Sequence, residues 1–147
     1  MEVWRKSAKG GRVTLTDAKM TRFFLTLPQA AAFVLSSLEM MEGGEIFVPK
    51  LKSIEMESLA KIIAPHAEIE SIGIRPGEKV HESMVSVDEA GQTVELVDRY
   101  VILPTSGLWA ESQWAGLPRM PQEWSYGSLG ATRFTAAEMR ELLTAVG

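Results

Sequence analysis

Residues 72–82 read IGIRPGEKVHE, an apolar alternation that runs into Arg75, a Pro-Gly corner, and then Glu78, Lys79, His81 and Glu82. Proline presets one backbone dihedral and glycine admits positive φ, so Pro76-Gly77 predicts a tight turn with Arg75 and Glu78 on the same side of the corner. That pairing suits a ligand both anionic and hydroxylated, such as a nucleotide sugar. A guanidinium presents a planar fork to phosphate oxygens, and a carboxylate accepts hydrogen bonds from ribose hydroxyls. The competing reading is a surface Arg75–Glu78 ion pair, worth about 0–1 kcal/mol. A second arginine, Arg22, opens an apolar segment in TDAKMTRFFLT. It is either a surface residue whose stem lies on the core, or a second phosphate-binding fork at a strand entrance.

His81 is of the residue type that most often serves as a general base. No Ser, Cys or Asp at an informative spacing supports that role, which favours a solvated or helix-end histidine. Trp109, Trp114 and Trp124 offer either a sugar-stacking platform or apolar anchors for the irregular stretch that carries them. Other chemistries are excluded by absence. The chain has no cysteine and only two histidines, His66 and His81, without ligand spacing, so a metal site is not expected. It has no G-x-G-x-x-G fingerprint, P-loop or G-x-S-x-G, and neither Tyr100 nor Tyr126 has a lysine four residues on. The sequence therefore carries binding groups without a catalytic centre or a dinucleotide site.

The elements that must position these groups are short. At 147 residues, 46% hydrophobic and 23% charged, the chain is one ordinary folded domain or part of one. A net charge of −4 with no basic run argues against nucleic acid. No apolar run reaches a bilayer-spanning length, and the start MEVWRKSAKGG lacks the apolar stretch of a signal peptide, so a cytoplasmic location without a membrane segment is expected.

RVTLT and RFFLTL predict extended segments around DAKM. Thr26 with Gln29 predicts a capped helix over about 28–41, its stripe formed by Ala30, Val34, Leu38 and Met41 with Phe33 beside them. A strand is predicted at Ile46–Val48, a helix over about 56–64 closed by Pro65, and a strand at Ile69–Ile74. GEKVHESMVS predicts a short helix or turn, and QTVELVDRYVILP two strands pivoting near Asp98-Arg99. Thr135 with Glu138 caps a final helix over about 136–146, with Met139, Leu142, Leu143 and Val146 as its stripe. The fold class expected is α/β, or α+β-like, with short strands packed against three main helices. Four stretches organise the chain: a lead-in over 1–13, a binding subdomain over 14–104, a connector rich in Trp, Pro and Gly over 105–134, and a C-terminal helix over 135–147.

The motifs MTRF, GGEIFVPK and IRPGEKVHE together resemble the C-terminal portion of bacterial UDP-N-acetylglucosamine 4,6-dehydratases, the CapD-like polysaccharide-biosynthesis and flagellin-modification enzymes. The similarity runs from about Thr14 to Pro104 and more loosely through Tyr126 to the final helix. Such enzymes are extended short-chain dehydrogenase/reductases. Their N-terminal Rossmann half holds NADP or NAD and the catalytic residues, and the C-terminal half grips the UDP-sugar. The resemblance implies that Arg22 and Arg75 contact the diphosphate, that Glu78 bonds the ribose or shapes the nucleotide pocket, and that Met20 and Thr21 line its wall. It also implies a Rossmann half absent from this chain, supplied in cis or on a separate chain, or a homo-oligomer. The expected function is the substrate-binding half of a nucleotide-sugar dehydratase. The alternative is a stand-alone, non-catalytic module that binds a nucleotide sugar or another protein.

Overall fold

A computed structural model describes Trp4, Lys6, residues 10–105 and residues 113–146; Trp109 lies outside the described residues. The fold is mixed α/β. Its first elements are β1 (Arg12–Leu15), β2 (Thr21–Phe23), α1 (Leu27–Met40), β3 (Ile46–Pro49), β4 (Ser53–Glu55), α2 (Met56–Ile63) and β5 (Glu68–Ser71). There follow β6 (Ser83–Val85), α3 (Val87–Ala90), β7 (Thr93–Glu95), β8 (Arg99–Ile102), β9 (Tyr126–Gly127) and α4 (Ala136–Val146). They form two compact units that alternate along the chain. One comprises residues 1–24, 52–82 and 128–147, the other 25–51 and 83–127. Among the described residues no helix is long and apolar enough to cross a membrane.

In the first unit β1 pairs parallel with β5, and β2 antiparallel with β4. The alternation of β1 sends Val13 and Leu15 inward against Ala60 and Ala64 of the α2 region. The neighbouring face of α2 contributes Leu59, which packs with Ile54, Met139 and Leu143; Trp4 touches both clusters. Helix α4 thus docks through Met139 and Leu143, with Leu142 partly buried at the margin, as its period predicts; the Val146 side chain lies outside the described residues. Its start is fixed by the expected capping box: Glu138 accepts from the Thr135 N–H (2.9 Å), and Thr135 Oγ1 from the Glu138 N–H (3.2 Å). Strand β5 stops at Ser71, short of the expected Ile74. Its partner β1 has ended by then, Gly73 turns the chain at φ 87°, and Ile72 and Ile74 are exposed.

In the second unit β3, β8 and β7 form an antiparallel sheet in that order, and β6 pairs with β9. The hairpin of β7 and β8 was expected. Residues 83–85 are a strand rather than part of a helix or turn, because Ser83 and Val85 find partners in Gly127 and Tyr126, more than forty residues away. The core gathers Val94, Val101, Leu103 and Trp114.

Helix α1 starts at its predicted cap, with the Thr26–Gln29 box formed, but it is turned away from its predicted stripe. Val34, Leu38 and Met41 are 55%, 57% and 46% exposed, while Ser37 is buried. Arg99 supplies the reason. Its guanidinium, with a side chain only 5% exposed, donates to the hydroxyls of Ser37 (3.0 Å) and Ser36 (2.8 Å), pairs with Asp98 (2.7 Å) and lies 4.7 Å from the Phe33 ring. A buried cation must keep its hydrogen bonds, so the serine face of the helix is drawn in and an aliphatic face is left out.

Two outcomes are expected from this packing. Leu59→Ala removes a side chain that is 1% exposed and should cost about 2–5 kcal/mol in denaturant unfolding. Glu138 is held at about 2, below its ordinary 4.5, first by the Lys52 ammonium at 2.5 Å and then by the Thr135 N–H. A folded value below the ordinary one means that this stabilisation is complete above pH 4.5 and is lost as pH falls through about 2. Carboxyl NMR should show Glu138 titrating low, and Lys52→Ala should move it back towards the ordinary range.

Candidate functional site

The corner forms as its residues dictate. The Glu78 N–H donates to the Arg75 carbonyl at 3.0 Å, and Gly77 sits at φ 83°, the positive dihedral that a type II turn requires after proline. The turn borders a cleft of about 250 Å³ within the first unit. Arg75, Glu78, Arg22 and Met20 line it, with Thr16 and Asp17 adding polar groups and Trp4, Met56 and Ile72 apolar ones. Four of the five residues singled out from the sequence therefore meet at one cavity, across more than fifty residues of chain.

Their states differ. Among the described residues the Arg75 guanidinium has no hydrogen bond and no ion pair, and the side chain is exposed. The surface ion pair with Glu78, the competing reading of this corner, is not formed. Glu78 Oε2 instead accepts the Arg75 backbone N–H at 3.4 Å, and Oε1 stands 3.9 Å from Arg22 Nη2.

Arg22 is engaged with the protein itself. Nη1 donates to the carbonyls of Thr21 (2.8 Å) and Val80 (3.1 Å), and Nη2 to the Lys79 carbonyl (2.9 Å) and Met20 Sδ (3.3 Å). Its fork clasps the segment that follows the turn. Glu82 completes this clasp, with Oε2 accepting the Phe23 N–H at 2.8 Å and Oε1 lying 3.9 Å from Arg22 Nε.

Thr21 is 1% exposed and stands behind the cleft rather than in its wall. Its hydroxyl lies 2.6 Å from Ser128 Oγ and 2.9 Å from His81 Nδ1. His81 is thus half-buried and hydrogen-bonded rather than freely solvated, and it lies at no helix end. Its hydroxyl neighbours are 60 residues before it in Thr21 and, through Thr21, the wholly buried Ser128 within the 105–134 connector. Reading along the sequence missed Ser128, because no local pattern marks it.

The tryptophans within the described residues are anchors. Trp114 is 3% exposed, meets Phe47 edge-on at 6.1 Å, and donates its indole N–H to Glu45 at 2.9 Å. Trp124 packs on Tyr100 at 4.7 Å and lies parallel to Tyr126 at 6.5 Å. No group of three or more His, Asp or Glu side chains among the described residues is placed to hold a metal ion.

Comparison with known proteins extends this geometry. Residues 2–104 match the family described as polysaccharide biosynthesis protein. The chain is 44% identical over 99 residues to a UDP-N-acetylglucosamine 4,6-dehydratase (inverting) of Campylobacter jejuni, a match covering 67% of this chain and 30% of that protein. It is 34% identical over 142 residues to a UDP-glucose 4-epimerase of Rickettsia massiliae, covering 92% of this chain and 41% of that one. The crystal structure of Pen from Bacillus thuringiensis superposes with a TM-score of 0.78 at 27% identity, over 98% of this chain and 43% of that one. The chain spans less than half the length of each of these proteins. The match over residues 2–104 takes in MTRF, GGEIFVPK and IRPGEKVHE, and the chain belongs to the polysaccharide biosynthesis protein family of extended short-chain dehydrogenase/reductases.

Proposed function

We propose that this chain supplies the substrate-binding groups of a nucleotide-sugar enzyme of the UDP-N-acetylglucosamine 4,6-dehydratase type. The observation that carries the reading is the Arg75 guanidinium, without a partner among the described residues, at the rim of a cleft beside Glu78. A fork held by nothing else is open to a diphosphate, and Glu78 Oε1 remains available to a ribose hydroxyl. Arg22 contributes to the same wall chiefly by clasping residues 79–80, with its charge adding to the cleft's attraction for an anion. Met20 packs beneath it, and Thr21 supports the wall from behind. The relatives named for UDP-sugar chemistry support this choice of ligand.

The nicotinamide cofactor of such enzymes does not fit the described residues. Strand β1 of the parallel pair leads through Thr16 and Asp17 into β2, with no glycine-rich turn opening a helix. Cofactor and catalytic groups belong, in this reading, to a Rossmann half in cis or on another chain. The exposed apolar face of α1, with Val34, Leu35 and Leu38 each more than half exposed, supports a docking role for the second unit.

Two measurements test this. The 147-residue chain should not convert UDP-N-acetylglucosamine with or without NADP, and formation of the 4-keto-6-deoxy sugar by the pure chain would refute the division of labour. Calorimetric titration of UDP should show Arg75→Ala weakening affinity roughly ten- to a hundredfold, the loss of a charge-assisted contact worth about 1.5–3 kcal/mol. Arg75→Lys should recover part of it, and Glu78→Gln should cost less. Unchanged affinity in Arg75→Ala would remove the corner from the site.

A further inference from the structure

The segment that brings Arg75 and Glu78 to the cleft has no apolar anchor of its own. Every residue from Ser71 to Gly77 is exposed, and Gly73 and Gly77 leave the backbone soft. Its leading end is tied by the Ile72 N–H to the Leu15 carbonyl at 2.8 Å. Among the described residues its trailing end is held by hydrogen bonds through residues 79–82, with Glu78 Oε1 3.9 Å from Arg22 Nη2. Thr21 N–H donates to the Val80 carbonyl (3.0 Å), Arg22 to the carbonyls of Lys79 and Val80, and Ser128 N–H to the Glu82 carbonyl (2.8 Å). In the middle of this anchor sits the His81 imidazole on the Thr21 hydroxyl.

Counting protons shows why a histidine works there. Ser128 Oγ already accepts the Glu82 N–H at 2.8 Å, and its own proton can go to the Thr21 carbonyl at 3.1 Å or to Thr21 Oγ1 at 2.6 Å. In the first arrangement the Thr21 hydroxyl donates to Ser128 and accepts from a protonated Nδ1. In the second it accepts from Ser128 and donates to a bare Nδ1. Both arrangements satisfy both hydroxyls, so either imidazole tautomer is gripped at the same atom.

We propose that His81 is a positioning residue for ligand binding: its Nδ1, held by the Thr21–Ser128 hydroxyl pair, fixes residues 78–82 and thereby the Arg75–Glu78 corner at the cleft. The consequence for affinity rests on the UDP-sugar reading above; the consequence for the corner does not.

The test compares His81→Asn, whose amide can place a polar atom near the Nδ1 position, with His81→Gln, which reaches the Nε2 position, and with His81→Phe. On the ligand-free chain, hydrogen exchange at the Glu78 amide, which closes the turn on Arg75, should quicken at least tenfold in His81→Phe and His81→Gln. It should stay within about threefold of the parent in His81→Asn. In calorimetric titrations the first two variants should bind UDP about tenfold more weakly, and His81→Asn should bind like the parent. Should His81→Phe not fold, His81→Gln against His81→Asn decides alone. Unchanged Glu78 exchange in the folded His81→Gln, or loss of protection in His81→Asn equal to that in His81→Gln, overturns the proposal. The expected exchange pattern in a chain that binds no UDP supports the positioning role and refutes the ligand reading instead.

Discussion

Ser128 is the residue on which the architecture of the first unit turns. It is wholly buried, and all its polar atoms are engaged. Its hydroxyl meets Thr21 and the Glu82 N–H, its own N–H reaches the Glu82 carbonyl, and its carbonyl accepts from Ser53 Oγ at 2.7 Å and Arg133 Nη1 at 3.1 Å. One residue thus ties β2, β4, the segment after the turn and the approach to α4. Each buried polar atom here has a partner, and removing one would strand several others in a place that water does not reach. A serine suits the position because it offers a donor and an acceptor in the smallest volume.

The candidate site hangs from that knot. Strand β2 presents its side chains alternately, so Thr21 points into the knot while Met20 and Arg22 meet the cleft. Arg22 then clasps the carbonyls of residues 79 and 80. A charged side chain so engaged is a structural member, and the neighbouring Arg75, anchored by backbone alone, is the one we propose meets the ligand. The two arginines that look equivalent in the sequence hold different offices. The second unit uses the same physics differently: buried Arg99 selects the serine face of α1 and exposes its aliphatic one.

What was legible in the sequence is what depends on neighbours in the chain. The boxes of Thr26 with Gln29 and of Thr135 with Glu138, the Pro76-Gly77 turn, and the hairpin of β7 and β8 are all set within a few residues. The convergence of Met20, Arg22, Arg75 and Glu78 was reached through the joint resemblance of three motifs, since spacing alone left each arginine ambiguous. What escaped depends on distant partners. The rotation of α1 follows from Arg99, some sixty residues on. The role of His81 follows from a hydroxyl pair whose members lie 107 residues apart. The interleaving of two units along one chain has no local signature either.

The central claim is that the Arg75–Glu78 corner receives a diphosphate. Its most direct measurement is an NMR titration of the chain with UDP, following the Arg75 Nε–H and the backbone amides of Gly77 and Glu78. Saturable shifts of these three signals with a common dissociation constant, absent when uridine replaces UDP, are the outcome this account requires. Saturable shifts confined to residues away from the cleft, or equal responses to uridine and UDP, would contradict it.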